Sequence, residues 1–124
     1  MTTRYEEGLA LLDRLDKEQI GPIVDGLKDI APDFSRLLVE FAFGDIYARP
    51  GIDLRSRQIA TLAALTVLGA APQLKAHIRA SLAAGLSRPE IIEILMQMAL
   101  YAGFPAALDA LAIAREAFKE ARGA

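Results

Sequence analysis

The chain has one histidine, His77, and no cysteine. An imidazole titrates near neutrality, so His77 is the side chain best able to give or take a proton under cell conditions. At helical spacing it shares a face with Gln73, Leu74, Ala80 and Ser81. That mixed apolar and amide surround suits the wall of a pocket, although position alone favours a satisfied, partly buried histidine at a helix contact. Three arginines could bind a carboxylate through paired hydrogen bonds: Arg49 ahead of a Pro-Gly turn, then Arg55 and Arg57. Each could instead be solvated or paired with Asp45 or Asp53. Phe41, Phe43 and Tyr47 fall at spacings that face a core or a cavity. Tyr101 places another phenol at a helix corner, in Tyr101-Ala102-Gly103-Phe104-Pro105. Gln97, between Met96 and Met98, is expected to be a buried amide, either bonded within the core or lining a polar pocket.

Several chemistries are excluded by residue type. A chain with no cysteine forms no disulfide, no thiolate metal site and no thiol redox couple. One histidine among scattered carboxylates offers no zinc-type ligand cluster. There is no phosphate-cradling glycine loop and no convincing Ser-His-Asp arrangement. The formal net charge is −2 and the basic residues form no block, which argues against nucleic acid as a partner.

Helices must position these groups. Thr3-Arg4-Tyr5-Glu6 reads as a capping box, followed by Tyr5, Leu9, Leu12 and Leu15 at helical spacing. Pro22 suits the first turn of a second helix carrying Ile23, Val24, Leu27 and Ile30. Pro32 opens a third, with Phe34, Leu37, Leu38 and Phe41 on one stripe. After the Arg49-Pro50-Gly51 turn, a fourth helix runs from an Asp53 cap to Leu68 and stops at Gly69. A fifth opens at Pro72, carries His77 and closes near Gly85. Ser87-Arg88-Pro89-Glu90 is a second capping box, and its helix reaches Gly103. The last opens at Pro105. Strand signals are nearly absent. The expected fold is all-α, with six or seven helices packed as antiparallel neighbours in one domain over residues 1–124.

Hydrophobic residues make up 53% of the 124, an excess that a small domain usually covers at a subunit interface, so a homo-oligomer is expected. Alanine-rich faces (Ala60, Ala63, Ala64; Ala80, Ala83, Ala84; Ala106, Ala107, Ala110) allow close helix approach. The first residues are too polar for a signal peptide, and charged or polar residues interrupt every apolar run. A cytoplasmic location with no membrane partner is expected.

Four segments together carry a resemblance. They are Phe43-Gly44-Asp45-Ile46-Tyr47-Ala48-Arg49-Pro50-Gly51, Leu54-Arg55-Ser56-Arg57, Gln73-Leu74-Lys75-Ala76-His77-Ile78-Arg79, and Met96 through Ala107. In these the chain resembles the γ-carboxymuconolactone decarboxylase family, over about residues 5 to 118. The resemblance implies a cofactor-free helical fold of the alkylhydroperoxidase D type, assembled as a trimer or hexamer. It implies one of two activities: loss of carbon dioxide from a carboxylated unsaturated lactone in aromatic-acid breakdown, or a dithiol peroxidase cycle. In the peroxidase branch the histidine matches His77, the two cysteines fall on Ala70 and Gln73, and the glutamate falls on Gln58. Neither sulfur is present, so that cycle cannot run. The decarboxylase branch keeps the histidine, although its tryptophans near the Gly-Asp segment are Phe43 and Tyr47 here.

For a decarboxylase the expected roles are these. His77 donates the proton, Arg49, Arg55 or Arg57 holds a substrate carboxylate, and Gln73 or Tyr47 donates to the ring oxygen, with Gln97 and Tyr101 lining the site. No metal or cofactor is expected. The rival readings are a related lyase or isomerase on another small carboxylated substrate, and a non-catalytic oligomer that binds a ligand or partner.

Overall fold

A computed structural model describes residues 1–123. Among the described residues there are helices and turns and no strand, as expected from the sequence. The helices gather into two compact units, Met1–Leu54 and Arg55 onward.

In the first unit, α1 (Arg4–Leu15) starts where the Thr3 side chain accepts from the Glu6 N–H at 3.1 Å. Helix α2 (Lys17–Asp25) begins at an Asp16 cap, whose carboxylate accepts from the Glu18 N–H at 3.0 Å. Pro22 therefore lies inside α2 and does not open it, and Leu27 and Ile30 fall in the turn beyond. Pro32 does start α3 (Pro32–Leu37), which passes directly into a π-helical segment, Leu38–Tyr47. The i→i+5 winding is continued by the Ala48 N–H donating to the Phe43 carbonyl at 3.1 Å.

The buried face differs from the expected one. The stripe expected to face the core, Phe34, Leu37 and Phe41, is exposed, while Ser35, Val39, Phe43 and Gly44 are buried. Phe34 and Leu37 lie in the α-helical turn ahead of that segment, so the wider winding, which rotates each side chain less per residue, bears only on the positions from Leu38 onward. Helix α1 shows a smaller shift: Leu11, Leu12 and Leu15 are buried and Leu9 is exposed. Its Gly8 lies against the π segment so closely that an added Cβ would stand 2.1 Å from the Val39 carbonyl oxygen. Arg4 pins the same contact by donating to both oxygens of Asp45, with Nη2 to Oδ2 at 2.6 Å. The Arg4 guanidinium holds the Asp45 carboxyl below its ordinary range. The rings of Phe43 and Tyr47 are 5.6 Å apart and tilted.

In the second unit, α4 (Leu54–Leu68) and α5 (Ala71–Ala83) end as the sequence predicts. At the end of α4, Gly69 has φ +70°, the Ala70 N–H reaches back to the Leu65 carbonyl, and the Gly69 N–H reaches Thr66. This paired closure needs a left-handed residue, which glycine supplies without a Cβ clash. The same pair of bonds recurs after α5. The Ser87–Glu90 capping box is complete in both directions and starts α6 (Arg88–Gln97). Helix α6 stops earlier than expected, and a single turn, α7 (Ala99–Ala102), precedes α8 (Phe104–Gly123). The core comprises Leu62, Leu74, Ile78, Leu86, Ile91 and Leu95, closed by Ala110, Ala114 and Ala117 of α8. Those alanines repeat at helical spacing, so α8 presents a flat face on which larger aliphatic side chains of its neighbours can seat. Of the alanine faces read from the sequence, Ala80, Ala107 and Ala110 are buried, whereas Ala60, Ala64 and Ala83 are exposed.

Candidate active site

His77 sits near the middle of α5, with Leu74, Ile78 and Ser81 buried on the inner side of the helix. Its ring is partly buried, and Nδ1 is shielded from solvent without a hydrogen-bond partner. Burial disfavours the charged ring and pushes its pKa down to about 4. At pH 7 His77 therefore rests as the neutral imidazole.

A buried polar chain fixes the helix that carries it. Gln58 of α4, fully buried, donates from Nε2 to the Ser81 hydroxyl at 3.3 Å. That hydroxyl donates to the His77 carbonyl oxygen at 2.6 Å. Buried amides and hydroxyls are retained when their bonds are met, and here they join α4 to α5 beside the histidine. Sequence reading placed Ser81 on the His77 face and marked Gln58 only through the resemblance. A lone glutamine in the first turns of a helix carries no signal of burial.

The other expected residues lie on several different elements. Gln97, expected to be buried, is exposed. It falls at the last position of α6, where the helix gives way to a turn and the inward face passes to Leu95 and Met98. Gln73 is exposed one turn before His77. Tyr101 is also exposed and edges an apolar hollow of about 430 Å³ with Ala63, Ala64, Val67, Leu68 and Met98. Arg55 is ion-paired with Glu90, whose carboxyl is held low by the Ser87 N–H and by that guanidinium. Arg57 is partly buried on α4. Arg49 and Tyr47 belong to the first unit, where Arg49 is exposed on a cleft of about 380 Å³ shared with Glu7, Leu11 and Arg14. Among the described residues, no group of three or more histidine or carboxylate side chains is placed to hold a metal.

The carboxymuconolactone decarboxylase family model matches residues 32–116, from the start of α3 into α8. The chain belongs to this family. It is similar to 4-carboxymuconolactone decarboxylase of Acinetobacter baylyi, with 33% identity over 118 residues that cover 94% of this chain and 88% of that protein. It is also similar to an uncharacterized 15.0 kDa protein of Paracoccus denitrificans, with 36% identity over 76% of this chain and 72% of that one. Nitrosuccinic acid decarboxylase of Metarhizium robertsii is 26% identical over 94% of this chain and 82% of its own length. Family membership confirms the resemblance read from the four segments, and the matched range contains His77, Gln58 and Ser81.

The lowered pKa of His77 has a consequence for stability. The unfolded ring titrates near 6.5 and the folded ring near 4, so between those values the unfolded chain binds the additional proton. The contribution of the neutral, buried ring is complete above pH 6.5 and is lost as pH falls through the folded value. The loss should reach about 2–3 kcal/mol by pH 4.5. Urea melts at pH 7 and 4.5 check this: the drop should be smaller in His77→Gln by that amount, and equal drops would place the ring in water.

Proposed function

We propose that this chain is a cofactor-independent decarboxylase of small carboxylated substrates, of the 4-carboxymuconolactone type, in which His77 handles the proton. The observation that carries the reading is the buried, unpartnered Nδ1 of His77 in a chain of this family. A shielded polar atom without a protein partner is costly to keep, and a proton-transfer role is a reason to keep it. Two named relatives that are decarboxylases add support.

The chemistry runs as follows. The bond between the carboxylate carbon and the lactone ring breaks, carbon dioxide leaves, and the electron pair passes through the conjugated double bond to the ring carbonyl oxygen. A hydrogen-bond donor at that oxygen lowers the barrier, and a proton is then added to carbon. Bound carboxylate charge favours the imidazolium and opposes the effect of burial, so the substrate itself brings His77 toward its acid form. Arginine is suited to hold a carboxylate through parallel hydrogen bonds, a role assigned to Arg49, Arg55 or Arg57, with Arg55 exchanging Glu90 for substrate if it takes part. Tyr47, Gln73, Gln97 and Tyr101 are the further binding residues of the proposal.

Homo-oligomerisation, as a trimer or hexamer, belongs to the same reading. The first unit leaves Phe34, Leu37 and Phe41 exposed, and the second leaves Leu100, Tyr101, Phe104 and Leu108 exposed. Apolar surface on that scale is characteristic of subunit interfaces. A cytoplasmic location is part of the same proposal; among the described residues no helix is long and apolar enough to cross a membrane.

The direct test incubates the purified protein with 4-carboxymuconolactone and, separately, with nitrosuccinic acid, and measures carbon dioxide. Release above background with either substrate supports the reading, and none with both sinks it. Peroxide consumption with a dithiol donor should stay at background, because the chain has no thiol.

A further inference from the structure

A cleft of about 480 Å³ lies between α6 and α8, away from His77 in sequence and absent from the roles proposed above. Ile92 and Leu111 supply aliphatic wall, and Phe118 supplies an aromatic face. Arg88, Arg115 and Lys119 bring three cations to the same cleft. The Arg88 guanidinium lies 5.3 Å from the centre of the Phe118 ring, which orients it over the apolar wall.

Among the described residues, none of these three cations makes an ion pair. Three carboxylates near them in sequence, Glu90, Glu116 and Glu120, pair elsewhere. Glu90 bonds Arg55 and the Ser87 N–H. Glu116 and Glu120 turn to Lys75 and Arg79 of α5, with Lys75 Nζ 2.7 Å from Glu120. Arg115 and Lys119 are moreover four residues apart on one helix, a like-charge spacing that destabilises a helix unless an anion lies between them. The chain as a whole is acidic, so three uncompensated cations in one cleft are a local arrangement and not general basicity.

We propose that this cleft is a second ligand site, for a small aromatic carboxylate. The ring would lie against Phe118, Ile92 and Leu111, and the carboxylate would reach the cations at the rim. The volume falls within the range of small-molecule sites. Charge-assisted bonds from guanidinium to carboxylate supply orientation as well as affinity. The site does not depend on the proposed decarboxylation.

The experiment is a calorimetric titration of the full chain with 2-naphthoate, using 2-naphthalenemethanol as the uncharged match. Amide NMR shifts locate the bound probe. Naphthoate should bind at least about tenfold more tightly than the alcohol and weaken with added salt, and its shifts should centre on α6 and α8. Arg115→Glu with Lys119→Glu should abolish the preference for the anion, while His77→Ala should leave it intact. Both replaced side chains are exposed, and Arg115→Gln with Lys119→Gln provides a milder second pair. Equal affinity for the alcohol overturns the proposal, as does retained preference in both double variants. Loss of binding in His77→Ala would move the probe to the other site and overturn it too.

Discussion

His77→Ala lowers turnover of a carboxylated lactone by about a hundredfold or more, the ordinary contribution of a positioned acid or base. The loss should appear mainly in kcat, because the ring acts on the developing carbanion and contributes little to holding the carboxylate. The fold should survive the change. The ring is only partly buried and its Nδ1 has no protein partner to strand, so removing it leaves no unsatisfied group behind. A folded variant with unchanged kcat would remove the imidazole from the reaction. Ser81→Ala separates positioning from chemistry: it takes away the hydroxyl that bonds the His77 carbonyl and accepts from Gln58, yet leaves the ring in place. Its turnover should fall by less than that of His77→Ala.

Gly8→Ala is the second large effect, and it is read in stability. The added carbon would lie 2.1 Å from the Val39 carbonyl oxygen and 2.7 Å from Val39 Cγ1. The first of these is backbone, which no rotamer change can relieve, so α1 must move away from the π segment. Overpacking of this kind costs about 3 kcal/mol or more, which for a chain of this size lowers the melting temperature by about 10 °C. Gly51→Ala is the control, since a Cβ there meets nothing within 4 Å. Equal melting temperatures for the two variants would show that the contact between α1 and the π segment is loose.

Much of the helical frame was legible because its signals are local. The Ser87–Glu90 box and the glycines after α4 and α5 each act within one turn, so residue type and spacing suffice to place them. Two of the misreadings concern which face of a helix ends up buried. Phe34, Leu37 and Phe41 form a good stripe at 3.6 residues per turn, yet that stripe faces out, and within the π segment it is Val39 and Phe43 that are buried. Gln97 has apolar neighbours in sequence and yet ends exposed, because α6 stops there. For Arg55 the sequence offers Asp45 or Asp53 as pairing partners, whereas the carboxylate that reaches it is Glu90, 35 residues later.

Sequence alone determined the helical class, the family and the chemistry ruled out by a total lack of thiols, because each depends on which residues are present and how they are spaced along the chain. Tertiary structure decided the protonation of the single imidazole, the commitment of Arg55 to Glu90, and the three cations of the α6–α8 cleft left without carboxylate partners. Those properties depend on desolvation and on distances between residues far apart in the chain, and both come into being only when the helices pack.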